Sequence, residues 1–167
     1  MTKECVQCSA STRAGARCKN ITCIYSEFCA VHTKALFDLA IKPSRIPNSG
    51  KGLFTLKAIA KNRNIAKYTG EIKTLADYNA NPSGYAVAIP KGRVVDAAST
   101  QSDLGRYVND CRAANRRAGQ CNGSNARFAI STKGGITTIW IKATKHIPAN
   151  SEIYVSYGRQ FWARNTW

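Results

Sequence analysis

The sequence predicts a mainly β fold of short paired strands in residues 41–167, preceded by a small cysteine-rich module in residues 1–40. Three observations carry this reading. Beyond residue 40, β-branched and aromatic residues gather in short runs punctuated by Gly, Asn, Pro and Ser, the pattern of strands separated by turns. Five of the seven Cys fall within the first 29 residues, and His32 follows them. No apolar run approaches the ~18 residues of a membrane span, and the start MTKECVQC has no apolar stretch behind its charges. Neither a span nor a signal peptide is therefore expected, and the chain reads as intracellular.

The N-terminal module comes first. Its large apolar side chains are Val6, Ile21, Ile24, Tyr25, Phe28 and Val31, too few to offset the entropy of ordering the segment without a staple. In an intracellular chain, clustered Cys with a trailing His reads as metal binding rather than disulfides. Structural zinc commonly takes three Cys and one His. Cys29 and His32 form the clearest half-site, and Cys8 and Cys18 complete a C-x9-C-x10-C-x2-H pattern. Cys8, Cys18, Cys29 and His32 are the expected ligands; the rival set puts Cys5 or Cys23 in place of Cys8 or Cys18. The pattern, with TRAGARC before its second Cys, resembles WRC-type modules and small giant-virus zinc modules, although Ala16 and Arg17 stand where the plant module has Trp. Ala35, Leu36, Leu39 and Ala40 then have helical spacing, and Pro43 and Pro47 end any helix, which sets the boundary near residue 40.

The expected strands follow in order: GLFTLKAIA, IAKYTGEI, YAVAIP, RVVDA, ARFAIS, TTIWIKAT and SEIYVSYG. Four short motifs stand among them. Gly50-Lys51-Gly52 precedes an apolar strand, and glycines there permit close approach of a ligand to the backbone. Tyr68-Thr69-Gly70-Glu71 follows a strand, Arg106-Tyr107-Val108-Asn109-Asp110 is a polar-capped segment, and Glu152 leads into Tyr157-Gly158. Any one of these alone reads as a turn.

Together, in this order, they resemble the SET-domain lysine methyltransferases, over nearly all of residues 44–162. The ending SYGRQFW is similar to that of compact viral SET proteins and some histone-tail methyltransferases. The resemblance implies a SET-type β fold with a C-terminal pseudoknot, in which the segment starting at Asn109 passes beside the Tyr157-Gly158 segment. The run DCRAANRRAGQCNGS is then an insertion at the rim of the site, with Cys111 and Cys121 expected as free thiols. It also implies transfer of a methyl group from S-adenosylmethionine to a protein lysine. Tyr157 would be the catalytic tyrosine, with Tyr68 beside it. Gly50, Lys51, Gly52, Tyr107, Asn109, Asp110 and Trp162 would bind the cofactor, while Tyr85 and Val155 would line the substrate channel. Asp110 stands where the family usually has His. Val155 stands where a Tyr or Phe often limits methyl number, which leans toward multiple methylation. No cysteine-rich tail follows Tyr157, so either the aromatic tail or a second copy of the chain, as in a homodimer, is expected to close the cofactor site.

The formal net charge is +16, of which residues 1–40 carry +2 and residues 41–167 carry +14. Such an excess favours polyanions through counterion release, with Arg112, Arg116 and Arg117 as a local cluster. The expected function is a protein-lysine methyltransferase acting on histone or another chromatin protein in the nucleus (a host nucleus if viral), with DNA or nucleosome contact. The alternative is a non-catalytic chromatin or nucleic-acid adaptor on a degenerate SET scaffold.

Overall fold

A computed structural model describes residues 5–23, 27–98, 102–159 and 161. In the N-terminal module β1 (Val6–Gln7) pairs antiparallel with β2 (Ile21–Thr22), and helix α1 (Ala30–Phe37) follows. The helix ends earlier than its spacing suggested. Asp38 takes a left-handed conformation with φ of 53°, its N–H bonding back to Lys34 O. Leu39 and Ala40, expected on the helix, instead open strand β3 (Leu39–Pro43), which pairs antiparallel with β4 (Lys51–Thr55). Pairing with β4 and burial of Leu39, Ala40 and Ile41 outweigh the helical spacing.

The remaining elements form small sheets. β5 (Asn64–Lys67), β6 (Glu71–Thr74), helix α2 (Leu75–Ala80), β7 (Ala86–Ile89) and β8 (Arg93–Asp96) come next. A 3-10 turn at Leu104–Tyr107 leads into β9 (Asn109–Asp110), helix α3 (Ala113–Arg117), β10 (Ala126–Lys133), β11 (Ile136–Ala143) and β12 (Tyr154–Val155). Three strands order as β6-β8-β7 and three as β10-β11-β5. The long run IAKYTGEI divides into β5 and β6 because Gly70 packs against the Asp96 carbonyl, where a Cβ would overlap the backbone. Helix α2 was not expected. Its start is a capped one, the Thr74 hydroxyl accepting from Asp77 N–H at 3.1 Å.

The C-terminal SEIYVSYG run yields only the two-residue β12, and its partner is the key topological fact. β12 lies parallel to β9, with Tyr154 opposite Asn109 and Val155 opposite Asp110. Segments far apart in sequence are thereby brought side by side, as the expected pseudoknot requires. Leu53, Ile139, Ile141, Val108, Ile153 and Val155 pack beneath this crossing, each 2% exposed or less.

Two pairs of cysteines are disulfides. Cys111 and Cys121, expected as free thiols, are joined, with Cα atoms 6.0 Å apart. The insertion turns through α3 and returns both to a buried cluster with Ile46 and Tyr154. Cys5 and Cys23, Cα atoms 4.2 Å apart, are joined as well.

Candidate active site and metal cluster

With Cys5 and Cys23 bonded to each other, the described free cysteines are Cys8, Cys18 and Cys29, all buried. Their sulfurs and one His32 ring nitrogen lie within 4.8 Å of one another. His32 Nδ1 is 3.5 Å from Cys8 Sγ and 3.3 Å from Cys29 Sγ. The spacing arises simply: Cys8 directly follows β1, the returning chain brings Cys18, and the first turn of α1 places His32 over Cys29. Cys29 N–H donates to Cys8 Sγ at 3.3 Å and Asn20 Nδ2 to Cys29 Sγ at 3.4 Å, the donors expected around thiolates. Burial works to raise the Cys29 thiol, but Asn20 and His32 outweigh it and bring it down to about 6. The Asn20 backbone lowers Cys18, yet burial and the neighbouring Cys8 and Cys29 sulfurs push it up overall. Sulfurs this close oppose one another's ionisation without a cation between them. Three Cys and one His within this radius fit a tetrahedral zinc ion.

Three of the four short motifs, Gly50–Gly52, Arg106–Asp110 and Glu152–Gly158, converge on the β9/β12 crossing. At its hub is Glu152, 1% exposed. It accepts from Ser44 Oγ and Arg45 N–H, each at 2.7 Å, from Asn109 Nδ2 at 3.1 Å, and from the Tyr154 hydroxyl at 2.8 Å. Gly52 is where it is because a Cβ there would overlap this carboxylate. Asn109 Nδ2 also donates to Lys51 O at 3.1 Å, tying the Gly50–Gly52 segment to the crossing. Asn125 closes the back: its Nδ2 donates to Glu152 O and its Oδ1 accepts from Tyr154 N–H.

Tyr157 emerges from this crossing. Its N–H donates to Asp110 Oδ2 at 2.8 Å and its hydroxyl to Val108 O at 2.6 Å, while its ring meets Phe161 edge-on at 4.7 Å. Burial foremost, then the Asp110 charge, pushes its phenol well above the usual tyrosine range. Burial does the same to Tyr68, whose hydroxyl donates to Tyr85 O. Both phenols thus keep their protons across ordinary pH.

Two cavities meet at Tyr157. The larger, about 890 Å³, is lined by Gly50, Lys51, Tyr107, Asn109 and Asp110, with Cys23 of the N-terminal module at its edge. The smaller, about 530 Å³, is lined by Tyr68, Tyr78, Val108 and Phe128. Gly84, Tyr85, Arg106, Tyr157 and Phe161 border both. Arg106 holds this partition in place. Its guanidinium stacks 4.6 Å from the Tyr85 ring and 4.9 Å from the Tyr107 ring, and it donates to Ala97 O and Ala98 O.

Residues 50–158 match the SET domain family. The chain belongs to the SET domain family. No curated protein sequence matches it. Among solved structures, it is similar to a humanized mutant of the Chaetomium thermophilum Polycomb Repressive Complex 2 bound to an inhibitor, with a TM-score of 0.59 and 24% identity over 72% of this chain. It is also similar to ctPRC2 in an autoinhibited conformation bound to S-adenosylmethionine, with a TM-score of 0.60 and 22% identity over 86% of this chain. It spans 15% and 17% of those chains' lengths, so the likeness concerns the fold.

Within this SET domain the expected site residues fall into three groups. Gly50, Lys51, Tyr107, Asn109, Asp110, Tyr68, Tyr85 and Tyr157 line one cavity or both. Gly52 packs on Glu152, and Val155 is fully buried in the core; neither is among the residues lining the two cavities. Trp162 lies outside the described residues. Sequence reasoning missed Glu152 as a hub, Arg106 as the partition and Asp96 as the anchor of the Ser83–Tyr85 wall. Asp96, 2% exposed, accepts from Ala98 N–H at 3.1 Å and Lys73 Nζ at 2.8 Å, and also from Ser83 Oγ. The one available signal was an Asp closing a short strand directly after Val94 and Val95.

Proposed function

We propose that the chain is a protein-lysine N-methyltransferase that uses S-adenosylmethionine. The carrying observation is the pair of cavities that meet at a shared wall of Gly84, Tyr85, Arg106, Tyr157 and Phe161 and otherwise have linings of their own. A methyl transfer that brings donor and acceptor in from opposite faces needs such a partition, since in-line geometry is an orientation effect.

S-adenosylmethionine, when bound, supplies an electrophilic methyl on a sulfonium. The larger cavity fits it: its volume lies within the usual ~300–1,000 Å³ of ligand sites, and it combines a glycine-bounded backbone edge, the Asn109 amide, a carboxylate and aromatic faces. Gly50, Lys51, Tyr107, Asn109 and Asp110 hold the cofactor here, and Gly52 shapes the edge by letting Glu152 approach. Trp162 is retained as a cover for the adenine. Phe161 and Cys23 edge the same cavity, which supports closure by the tail and the N-terminal module rather than by a second chain.

The smaller cavity takes the substrate side chain. An ammonium has no lone pair, and a channel walled by Tyr68, Tyr85, Tyr157 and Phe128 favours the neutral amine by desolvation. Tyr157 and Tyr68 keep their protons, so they orient the amine through oxygen contacts, and the ammonium's proton leaves to water before the amine seats. Val155, two residues before Tyr157 and buried behind the wall, is retained as the position that sets room for more than one methyl.

Cys8, Cys18, Cys29 and His32 bind one structural zinc, closed to chemistry. We retain residues 1–40 as the zinc module and 41–167 as the catalytic domain, a division limited proteolysis can check. The substrate is histone or another chromatin-associated protein, in the nucleus, and the +14 of residues 41–167 supports contact with nucleosomal DNA. The test is labelled-methyl transfer by the purified chain to free and nucleosomal histones, alongside a cofactor-dependent thermal shift. Label on lysine supports the enzyme. A chain that binds nucleosomes and neither shifts with cofactor nor transfers label is the adaptor instead.

A further inference from the structure

The larger cavity has an uneven electrostatic lining. Among its described residues are three cations, Lys51, Arg106 and Arg112, and a single carboxylate, Asp110. A cationic ligand entering it meets net repulsion except where Asp110 stands. Asp110 is also well fixed. It lies on β9 opposite Val155, is 9% exposed, and accepts the Tyr157 N–H at 2.8 Å, so its charge sits beside the junction of the two cavities.

Resting on the methyltransferase reading, we propose that Asp110 makes this cavity select by charge at sulfur, favouring the sulfonium donor over the neutral thioether product. The two ligands share the adenosine and the aminocarboxypropyl group and differ by one methyl and one positive charge. In the transfer, the lysine amine's lone pair forms the new N–C bond and the C–S pair stays on sulfur. The positive charge thereby passes from sulfur to nitrogen, and the methylated amine later sheds a proton to water. A carboxylate at the junction stabilises the cavity's charged guest and stops doing so once the methyl has left, while the three cations tolerate a neutral thioether no worse than before. The Asp110 charge also helps raise the Tyr157 phenol, after burial. Glu152, the other carboxylate nearby, does not line the cavity. The residue that departs from the family's usual His thus has a role of its own rather than marking a degenerate site.

The test is calorimetric titration of the full chain with S-adenosylmethionine and with S-adenosylhomocysteine. Asp110→Asn keeps an oxygen that can accept from Tyr157 N–H and removes the charge. The donor's affinity should fall on the order of tenfold, the effect of one charge several ångströms away at intermediate dielectric, and the product's by less than about twofold. In Asp110→His the donor-to-product affinity ratio should fall further at pH 6 than at pH 8, as the imidazole gains charge. This second variant serves if the first does not fold. Equal weakening of both ligands, or a ratio indifferent to pH in Asp110→His, overturns the proposal and leaves Asp110 as a fastener of Tyr157. Wild-type chain that binds neither ligand overturns the methyltransferase reading along with it.

Discussion

Asp96 shows how a single buried side chain positions the site from outside it. Its carboxylate pins Ser83 and Ala98, and so fixes the loop that carries Tyr85 to the border of both cavities. Burial works against its charge, but Lys73 and Ser83 outweigh that and hold it below the ordinary carboxylate value. A depressed folded value contributes stability that is complete above the unfolded value near 3.9 and is lost as pH falls through the lower folded value. Asp96→Asn should therefore cost about 1–2 kcal/mol at pH 7 and flatten the acid limb of the stability curve, as read by urea melts at pH 7 and pH 3. An unchanged acid limb would remove Asp96 from this role. Glu152 illustrates why such residues escape a sequence reading. Its partners Ser44 and Arg45 lie more than a hundred residues away, and nothing local in NSEIY announces them.

Among the elements, the N-terminal module has a disulfide and, in the proposed reading, a zinc of different reach. The disulfide closes residues 5–23, whereas Cys29 and His32 lie outside its loop and would depend on the proposed zinc. One zinc per chain is expected, and chelation should release α1 while the sheets of the SET domain stay protected from hydrogen exchange, since metal binding is folding free energy for the segment it holds. Because Cys23 borders the larger cavity, chelation with a thiol reductant should also weaken cofactor binding. Less than half an equivalent of zinc in metal-replete protein, or an α1 indifferent to chelation, would contradict this. The ligand spacing was legible because C-x2-H on a helix start is a local pattern. The Cys111–Cys121 bond was not, since it depends on how the α3 insertion returns. The strands of 51–55, 86–96 and 126–143 were legible from β-branched runs, and α2 was missed although TLAD carries a capping signal. Leu39 and Ala40 were misread because helical spacing over so few residues is weak against a strand partner in β4.

At the scale of the whole molecule, the insertion carries three of the chain's 25 basic side chains against one acidic one, and only some of the three stand at its surface. Arg116 and Arg117 are exposed on α3, whereas Arg112 lines the larger cavity. The cluster read from sequence thus divides. Charge reversal of Arg116 and Arg117 should lower the log–log salt slope of DNA binding by up to about 2, at roughly 0.9 per phosphate lost. It should weaken activity on nucleosomes more than on free histone peptide. An unchanged slope would make both residues a solvated rim, and equal loss on both substrates would place them in the peptide site. The order of four motifs made the fold legible at this scale, because it encodes the β9/β12 crossing. The two cavities were not, as their walls are assembled from Cys23 to Phe161.

The most direct test of the account is single-turnover transfer of labelled methyl by Tyr157→Phe, with cofactor affinity measured on the same protein. Tyr157 joins the two cavities, and its hydroxyl donates to Val108 O at 2.6 Å. The variant should fold and bind S-adenosylmethionine within about twofold of wild type, yet transfer on the order of a hundredfold more slowly, the scale of a lost orienting group. Transfer near the wild-type rate would contradict the account, because the reaction would then not pass the junction where Tyr157 stands.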